Sequence, residues 1–339
     1  MKKKILALVM ASAMALSLAA CGSSGGSSTP AASSAAGSAA ASAPATETYT
    51  IGICQLVQHP ALDAATQGFR DAVDEALPGQ VTWDEQNAAG ESANCTTIVN
   101  NFVSTGVDLI LANATAALQA AANATDTIPV LGTSITEYGV ALDLDNFNGT
   151  VGTNVSGTSD LAPLDQQADM VKELFPDAQN VGILYCSGEP NSVYQADTVK
   201  ACLEDLGYSV KVYTFADSND VAAVTQTACD ENDVLYVPTD NTAANAAETI
   251  NNVAQPAGVP IITGEEGICK GCGVATLSIS YYDLGVITGK MAAKILTGES
   301  KVSEMPIEYV PTVTPKYNPV ICEELNITVV DGYEAIAME

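Results

Sequence analysis

The sequence predicts an α/β protein made of two doubly wound parallel-sheet lobes joined by a three-segment hinge. Short β-branched runs alternate with Ala-rich amphipathic runs from Tyr49 onward, a pattern typical of βαβ units. The alternation starts again near Asn180, so the topology repeats although no clear sequence repeat accompanies it. The stretch from Tyr49 to Glu339 also has a length that suits two lobes rather than one.

The first series of runs predicts one lobe. Apolar, β-branched runs predict strands at 49–56, 81–86, 108–112 and 128–133. Amphipathic runs between them predict helices at 62–77, 92–105 and 115–123. Because crossovers between parallel strands are right-handed, the helices should cover both faces of the sheet.

The second series predicts the other lobe. Its strands are predicted at 180–186, 209–215, 234–237, 259–263 and 274–280. Its helices are predicted at 193–206, 221–229 and 242–253, with another beginning after Asp160, where Pro163 suits a first turn. A further helix, at 283–296, is expected to return to the first lobe. We therefore predict that 49–156 and 282–309 form lobe one, and that 157–281 and 310–339 form lobe two.

The amino terminus has the features of an export signal. Three lysines precede a short apolar run that starts at Ile5, and Leu-Ala-Ala-Cys ends the segment at Cys21. The apolar run is shorter than the ~20 residues that a spanning helix needs. The junction resembles a bacterial lipobox, whose cysteine is acylated with a lipid such as palmitate and becomes the first mature residue. We predict a lipoprotein signal peptide at 1–20, a lipid-anchored extracytoplasmic chain, and a flexible linker within 21–48, where Glu47 is the one charge.

Composition excludes several classes of function. The net charge of −28 opposes nucleic acid and anionic lipid as direct partners and favours solubility. The sequence contains no G-x-G-x-x-G and no G-x-x-x-x-G-K motif, and its single histidine, His59, gives no Ser/His/Asp order. We therefore predict no cofactor, no metal and no catalytic residues.

Nine cysteines are present, and Cys21 is assigned to the lipid. Cys269 and Cys272 form a C-K-G-C motif in what reads as a Gly-rich loop, which predicts either a local disulfide or free thiols. The other six are scattered singly and are expected to be small buried side chains.

Polar residues follow the predicted strands, where open α/β sheets bind ligands. The candidate binding residues are Gln55, His59, Asn113, Thr115, Ala116, Ser134, Thr136, Glu189, Asn191, Ser192, Asp240, Asn241 and Tyr281. Free N–H groups at helix starts favour anions, and carboxylates such as Asp240, Glu265 or Glu266 favour a cation. A ligand with both charges is an amino acid.

Each candidate also has a purely structural interpretation. Thr115, Asn191 and Asp240 are suitable helix caps, and His59 with Pro60 can stiffen a loop. Glu265 and Glu266 together read as solvated loop charges. The convergence of several candidates on one sheet edge favours function.

Several segments resemble a family of ABC-transporter substrate-binding lipoproteins. The opening IGICQLVQHPALD at 51–63 carries the likeness, together with GF at 68–69, VPTDN at 237–241 and YYDLG at 281–285. The likeness spans about residues 50–310, whereas Cys54, Cys95, Glu265-Glu266 and the C-K-G-C segment depart from it. The resemblance implies a type I periplasmic-binding-protein fold and a non-catalytic monomer that delivers an amino acid to an ABC permease and ATPase. Members with assigned ligands bind tryptophan, or tyrosine and phenylalanine.

The resemblance and the strand ends together suggest roles. The ligand carboxylate would dock on N–H groups at 113–116 with help from the Thr115 hydroxyl. Asp240 would take the ammonium, bridged by Asn191 or Ser192. Gln55 and His59, with Tyr281 or Tyr282, would surround the ring. The rival interpretations are an adhesin or sensory receptor on the same fold, a binding protein for another small molecule such as a sugar, and a surface hydrolase.

Overall fold

The computed structural model describes residues 47–329 and 331–338. These belong to one compact unit that spans Thr46–Glu339. The signal peptide, the acylated Cys21 and nearly all of the linker lie outside the described residues, so they stay predictions. Within the described ranges, no helix is long and apolar enough to cross a membrane.

The first lobe is built on a six-stranded sheet with the order β11-β5-β4-β3-β1-β2, in which all the pairs are parallel. Its strands are β1 (Tyr49–Gln55), β2 (Val81–Asn87), β3 (Leu109–Asn113), β4 (Val130–Ile135), β5 (Val155–Ser159) and β11 (Glu308–Tyr309). Its helices are α1 (Pro60–Ala76), α2 (Ser92–Thr105), α3 (Thr115–Ala124), α4 (Tyr138–Ala141) and α11 (Tyr281–Leu296). Phe69 of α1 and Met291 of α11 bury one sheet face, and Phe102 of α2 and Leu118 of α3 bury the other.

The second lobe is built on a seven-stranded sheet with the order β13-β12-β10-β9-β8-β6-β7. Its strands are β6 (Asn180–Cys186), β7 (Ser209–Phe215), β8 (Val234–Val237), β9 (Ile261–Thr263), β10 (Ala275–Ser278), β12 (Thr314–Tyr317) and β13 (Glu334–Ala335). Its helices are α5 (Leu164–Leu174), α6 (Pro190–Asp205), α7 (Val221–Glu231), α8 (Asn241–Asn245), α9 (Ala247–Ala257), α10 (Glu266–Cys272) and α12 (Pro319–Glu324). The β10–β12 pair is antiparallel, which the sequence pattern did not indicate.

The chain passes between the two sheets three times, and the predicted α/β class with parallel sheets is confirmed. The passages follow β5, β10 and β11. Because β5 continues to Ser159 in the first sheet, the first passage starts beyond the expected lobe boundary at 156/157. The third passage returns the chain to β12 of the second sheet.

Helices α1 and α11 approach so closely that their crossing needs glycine. A Cβ atom on Gly285 would lie 2.0 Å from the backbone oxygen of Ala65, and one on Gly68 would lie 2.1 Å from that of Tyr282. This contact fixes the start of α11, and with it Tyr281, against the first lobe.

Three local predictions were wrong. The helix predicted at 242–253 is two helices, α8 and α9, which meet at Ala246. The strand predicted to reach residue 280 ends at Ser278. The C-K-G-C segment lies in α10 instead of a loop, because the Glu265 side chain caps that helix by accepting hydrogen bonds from the N–H groups of Gly267 and Ile268. Cys269 and Cys272 are buried free thiols.

Candidate ligand-binding site

A polar cavity lies between the two lobes. In this arrangement of the lobes the cavity is nearly filled, with free space for about one water molecule. The first lobe and the hinge supply His59, Leu62, Ser134, Thr136, Asp160 and Tyr281, and the second lobe supplies Asn191, Thr239, Asp240, Asn241, Ala244 and Glu265. Most of these residues follow the carboxyl end of a parallel strand, or begin the helix after it, as expected for ligand sites in open α/β sheets.

Buried polar atoms without partners concentrate in the residues that line this cavity. In the part of the chain that the structure describes, five buried side-chain atoms have no hydrogen-bond partner, and three of them belong to cavity residues: His59 Nδ1, Ser134 Oγ and Asp160 Oδ1. Each such atom costs about 1–3 kcal/mol unless something pairs with it. Ser134 also has a φ of 57°, an uncommon backbone conformation for a non-glycine residue that tends to persist at functional sites. The cavity is therefore preorganised for a polar ligand.

Asp160 sits at the hinge, directly after β5. Its Oδ2 accepts a 2.9 Å hydrogen bond from the Tyr281 hydroxyl, and its side chain is buried. Burial raises the pKa of this carboxyl group. A cation beside Oδ1 would offset that effect and favour the ionised form.

Two further buried carboxyl groups face the same cavity from the second lobe. Asp240 caps α8: its Oδ1 accepts from Ala243 N–H and its Oδ2 from Cys186 N–H, both at 2.7 Å. Burial, with the nearby charge of Glu189, raises the pKa of Asp240 to about 8, and burial raises the pKa of Glu265 to about 7. Glu265 is 3% exposed, so the solvated-loop interpretation is wrong for it. Glu266, by contrast, is partly exposed and pairs with Lys316 at 2.6 Å.

His59 bridges the lobes. Its Nε2 lies 3.3 Å from Asn241 Oδ1 across the cavity. The Asn241 amide in turn donates to Glu189 at 2.7 Å. Burial is the largest influence on His59 and lowers its pKa, so the imidazole is neutral.

The structure brings together a subset of the candidates named from sequence. His59, Ser134, Thr136, Asn191, Asp240, Asn241 and Tyr281 line the cavity. Glu189 stands behind it as the partner of Asn241 and Thr242. Gln55, Asn113, Thr115, Ala116 and Ser192 are not among the residues that line it.

Gln55 and Asn113 have structural roles instead. The Asn113 amide donates to the Leu62 backbone oxygen and to Thr66 Oγ1, each at 2.9 Å. Gln55 donates to Asp63 at 2.7 Å and accepts from Thr66 at 2.6 Å. These bonds attach the first turns of α1 to the strand ends, while Asn113 Oδ1 is buried and has no partner among the described residues.

The sequence analysis treated Asp160 only as a helix start and named Glu265 only as one of several carboxylates. Both positions carried a usable signal, because Asp160 directly follows the apolar and small residues of β5, and Glu265 comes two residues after β9. A carboxylate at a strand end of an α/β sheet is a ligand-site position whether or not it also caps a helix. Thr239 also comes two residues after a strand, β8, whereas Leu62 and Ala244 carried no such signal. Within the described ranges, no group of three or more His, Cys, Asp or Glu side chains is arranged to hold a metal ion.

Comparison with known proteins gives a consistent picture. The family model described as ABC transporter substrate binding protein matches residues 50–339. A relative named tyrosine-binding protein, from Clostridioides difficile (strain R20291), is 36% identical over 263 residues, which are 76% of this chain and 75% of the relative.

Two solved structures share both sequence and fold with the chain. The crystal structure of an ABC domain in complex with L-Trp from Streptococcus pneumoniae is 32% identical, with a TM-score of 0.81 over 86% of this chain and 100% of that one. The ligand-free, open structure of a substrate-binding protein with adhesive properties from Clostridium difficile is 35% identical, with a TM-score of 0.66 over 86% and 100%. Although its identity to the open structure is slightly higher, the chain superposes better on the L-Trp complex.

Proposed function

The chain belongs to the ABC transporter substrate-binding protein family, and from this premise we propose that it captures an aromatic amino acid for an importer at the outer face of the cell membrane. The family consists of binding proteins, so the cavity is a capture site and catalyses no reaction. The proposed partners are an ABC permease and its ATPase. The proposed anchor is the lipid on Cys21, and the chain acts as a monomer.

One observation carries the proposal: the unpartnered polar atoms of His59, Ser134 and Asp160 belong to residues of one buried cavity. A hydroxyl that donates and a carboxylate that accepts suit a ligand with both an anionic and a cationic group. An amino acid has both on one carbon atom. Sugars have hydroxyl groups but no cation, and they would leave the buried carboxyl group of Asp160 without a positive partner.

We propose that Asp160 binds the ligand ammonium through Oδ1. Sequence reasoning gave that role to Asp240, but both oxygens of Asp240 already accept backbone hydrogen bonds. The hydroxyl group of Ser134, which has no partner among the described residues, takes the ligand carboxylate instead of the N–H groups at 113–116, because those residues do not line the cavity.

The aromatic part of the proposal rests on the relatives and on the apolar cavity residues. One relative is named for tyrosine, and one solved structure contains L-Trp. Leu62, Ala244 and the ring of Tyr281 offer apolar surface beside the polar groups. Tyr282 does not contribute, since it is 43% exposed and its hydroxyl bonds to Asp71 at 3.0 Å.

We propose that the transporter recognises the closed arrangement of the two lobes. The better superposition on an L-Trp complex than on an open, ligand-free structure supports a closed arrangement of the described lobes. A ligand that contacts both lobes binds the closed state more tightly than the open state, and this difference in affinity shifts the equilibrium toward closure. We expect X-ray scattering to show a more compact particle when the ligand is added.

A screen of thermal shifts tests the proposal. The chain should be stabilised by tyrosine, tryptophan or phenylalanine and not by glycine, alanine or sugars. A larger shift with a sugar or a branched aliphatic amino acid would overturn the aromatic assignment and leave the fold unaffected.

Adhesion is a second candidate function, because one similar solved protein has adhesive properties. It predicts binding to host-cell surfaces that persists when the cavity is saturated with ligand. A sensory role predicts a ligand-dependent partner other than the permease, which ligand-dependent pull-down from membranes would reveal.

A further inference from the structure

Glu189, Asn241 and His59 form a chain of hydrogen bonds with a defined direction. Glu189 Oε2 accepts from Asn241 N–H at 3.0 Å and from Asn241 Nδ2 at 2.7 Å. Glu189 Oε1 accepts from Thr242 N–H at 2.8 Å and from the Thr242 hydroxyl at 2.7 Å. Because backbone N–H groups can only donate, both oxygens of Glu189 act as acceptors where they face Asn241 and Thr242.

This carboxylate fixes the orientation of the Asn241 amide. The Nδ2 group must point to Glu189, because the amide oxygen there would face another acceptor. The amide oxygen therefore points to His59, whose Nε2 lies 3.3 Å away. An amide oxygen is an acceptor, so His59 Nε2 carries the hydrogen atom.

The other ring nitrogen must then be an acceptor. A neutral imidazole has one N–H and one bare nitrogen, and here Nε2 takes the hydrogen. Burial lowers the pKa of His59, and it outweighs the opposing influences of Asn241, Asp63 and Glu189. The His59 side chain is 7% exposed, and among the described residues nothing pairs with Nδ1. A lone pair on a residue that lines the ligand cavity thus has no partner among the described residues.

We propose that His59 Nδ1 selects the ligand by accepting a hydrogen bond from an O–H or N–H group at the far end of its side chain. This inference rests on the proposed function of the same cavity. The matching aromatic ligands carry a phenol, as in tyrosine, or an indole N–H, as in tryptophan. Phenylalanine fills similar space but leaves the acceptor unpaired.

The hydrogen-bond chain from Glu189 through Asn241 to His59 also couples ligand selectivity to the closure of the two lobes. Glu189 and Asn241 belong to the second lobe, whereas His59 caps α1 of the first. The tautomer that accepts the ligand is therefore fixed only when the lobes meet. Closure therefore adds less binding free energy for a ligand without a hydrogen-bond donor on its side chain than for a ligand with one.

Affinity measurements on the whole protein test the inference. Calorimetric titration should show L-tyrosine or L-tryptophan binding roughly 10- to 100-fold tighter than L-phenylalanine, the range expected when a buried acceptor is left unpaired. In His59→Phe the preference should shrink to less than about 3-fold, through weaker binding of the ligand with the donor. Equal wild-type affinities, or an unchanged preference in the variant, would overturn the role of His59. If none of the three amino acids binds the wild-type protein, the proposed function itself fails.

A second measurement needs no variant. His59 is the only histidine in the chain, so a ¹⁵N-labelled protein without a histidine tag gives one imidazole signal set in NMR. With L-tyrosine bound at pH 7, the signals should be those of the neutral ring with hydrogen on Nε2, and the Nδ1 signal should differ from that of the L-phenylalanine complex. Hydrogen on Nδ1, a charged ring, or identical Nδ1 signals in the two complexes would contradict the inference.

Discussion

The Tyr281 hydroxyl donates a 2.9 Å hydrogen bond to Asp160 Oδ2, and Oδ1 of the same buried carboxyl group has no partner in the described part of the chain. Both residues lie at the hinge, Asp160 after β5 and Tyr281 at the start of α11. The proposed acceptor for the ammonium group is thus held by two of the segments that connect the lobes. We therefore expect ligand binding and the position of the lobes to be coupled at this pair.

Asp160→Asn should weaken binding of L-tyrosine by roughly 10- to 100-fold. The amide keeps an oxygen for the Tyr281 hydroxyl and replaces the free carboxylate oxygen with a donor, so a charge-assisted bond of ~1.5–3 kcal/mol is lost. Calorimetric titration measures the change. The deaminated analogue, 3-(4-hydroxyphenyl)propionate, is the control: it should bind the variant at least as well as the wild type. A variant that binds L-tyrosine normally would remove Asp160 from the ammonium site.

Stability of the ligand-free protein should fall as the pH rises from 7 to 8. The folded-state pKa values of Glu265 and Asp240, about 7 and about 8, lie above their unfolded values of about 4. The folded protein therefore holds protons that the unfolded chain has released, and this stabilisation is lost as the pH passes through the folded pKa values. The slope is at most about 1.4 kcal/mol per pH unit for each group.

Urea unfolding at pH 7 and pH 8 measures this effect. The lowered pKa of His59 acts with the opposite sign, but mainly below its unfolded value of about 6.5, outside this window. Glu265→Gln is the control and should flatten the slope. Stability that is constant or rises between the two pH values would show that these carboxyl groups are ionised in the ligand-free protein.

Gly285→Ala should destabilise the protein by roughly 3 kcal/mol or more. Alanine normally favours a helix over glycine by up to ~1 kcal/mol, but here its Cβ would lie 2.0 Å from a backbone oxygen of α1. Thermal or urea unfolding measures the loss. Gly188→Ala is a matched control, since that Cβ would meet only Cys186 Sγ at 3.8 Å, and it should change stability by less than about 1 kcal/mol. Equal stability of the two variants would mean that α1 and α11 are not packed this closely.

Strands and helices could be predicted where residues within the same stretch of sequence define their bounds. The bounds of α2 match the sequence prediction, and β6 and β7 match as well, because hydrophobic periodicity and flanking turn residues define them. The break between α8 and α9 was not predictable from an unbroken Ala-rich pattern. The helix over Cys269 was missed because glycines indicate a loop, whereas a side chain outside the motif, Glu265, caps it.

The sequence could predict that the binding site lies at the carboxyl ends of the strands, but it could not identify which residues there line the cavity. Asn113 and Asp240 both end or follow parallel strands, yet Asp240 lines the cavity and Asn113 does not. The Asn113 amide instead donates to the backbone oxygen of Leu62, 51 positions away, a contact that no local pattern records. Burial likewise separates Glu265 from Glu266, although the two are adjacent and identical in type.

Cys21→Ser should release the protein from the membrane fraction. The prediction comes from the Leu-Ala-Ala-Cys junction, because acylation needs the thiol of that cysteine. Fractionation of cells followed by immunoblotting measures the release. Cys202→Ser is a matched control in the folded domain and should leave the protein with the membranes. Full membrane retention of the Cys21 variant would refute the lipid anchor.

The central claim is that the inter-lobe cavity binds an aromatic amino acid by both its charged groups and its ring. Isothermal titration calorimetry of the untagged chain with L-tyrosine and L-tryptophan tests it most directly. The account predicts one site per chain with a dissociation constant in the micromolar range or below for at least one of them, and no detectable heat with alanine or glycine. No binding of either aromatic amino acid, or tighter binding of a sugar, would contradict it.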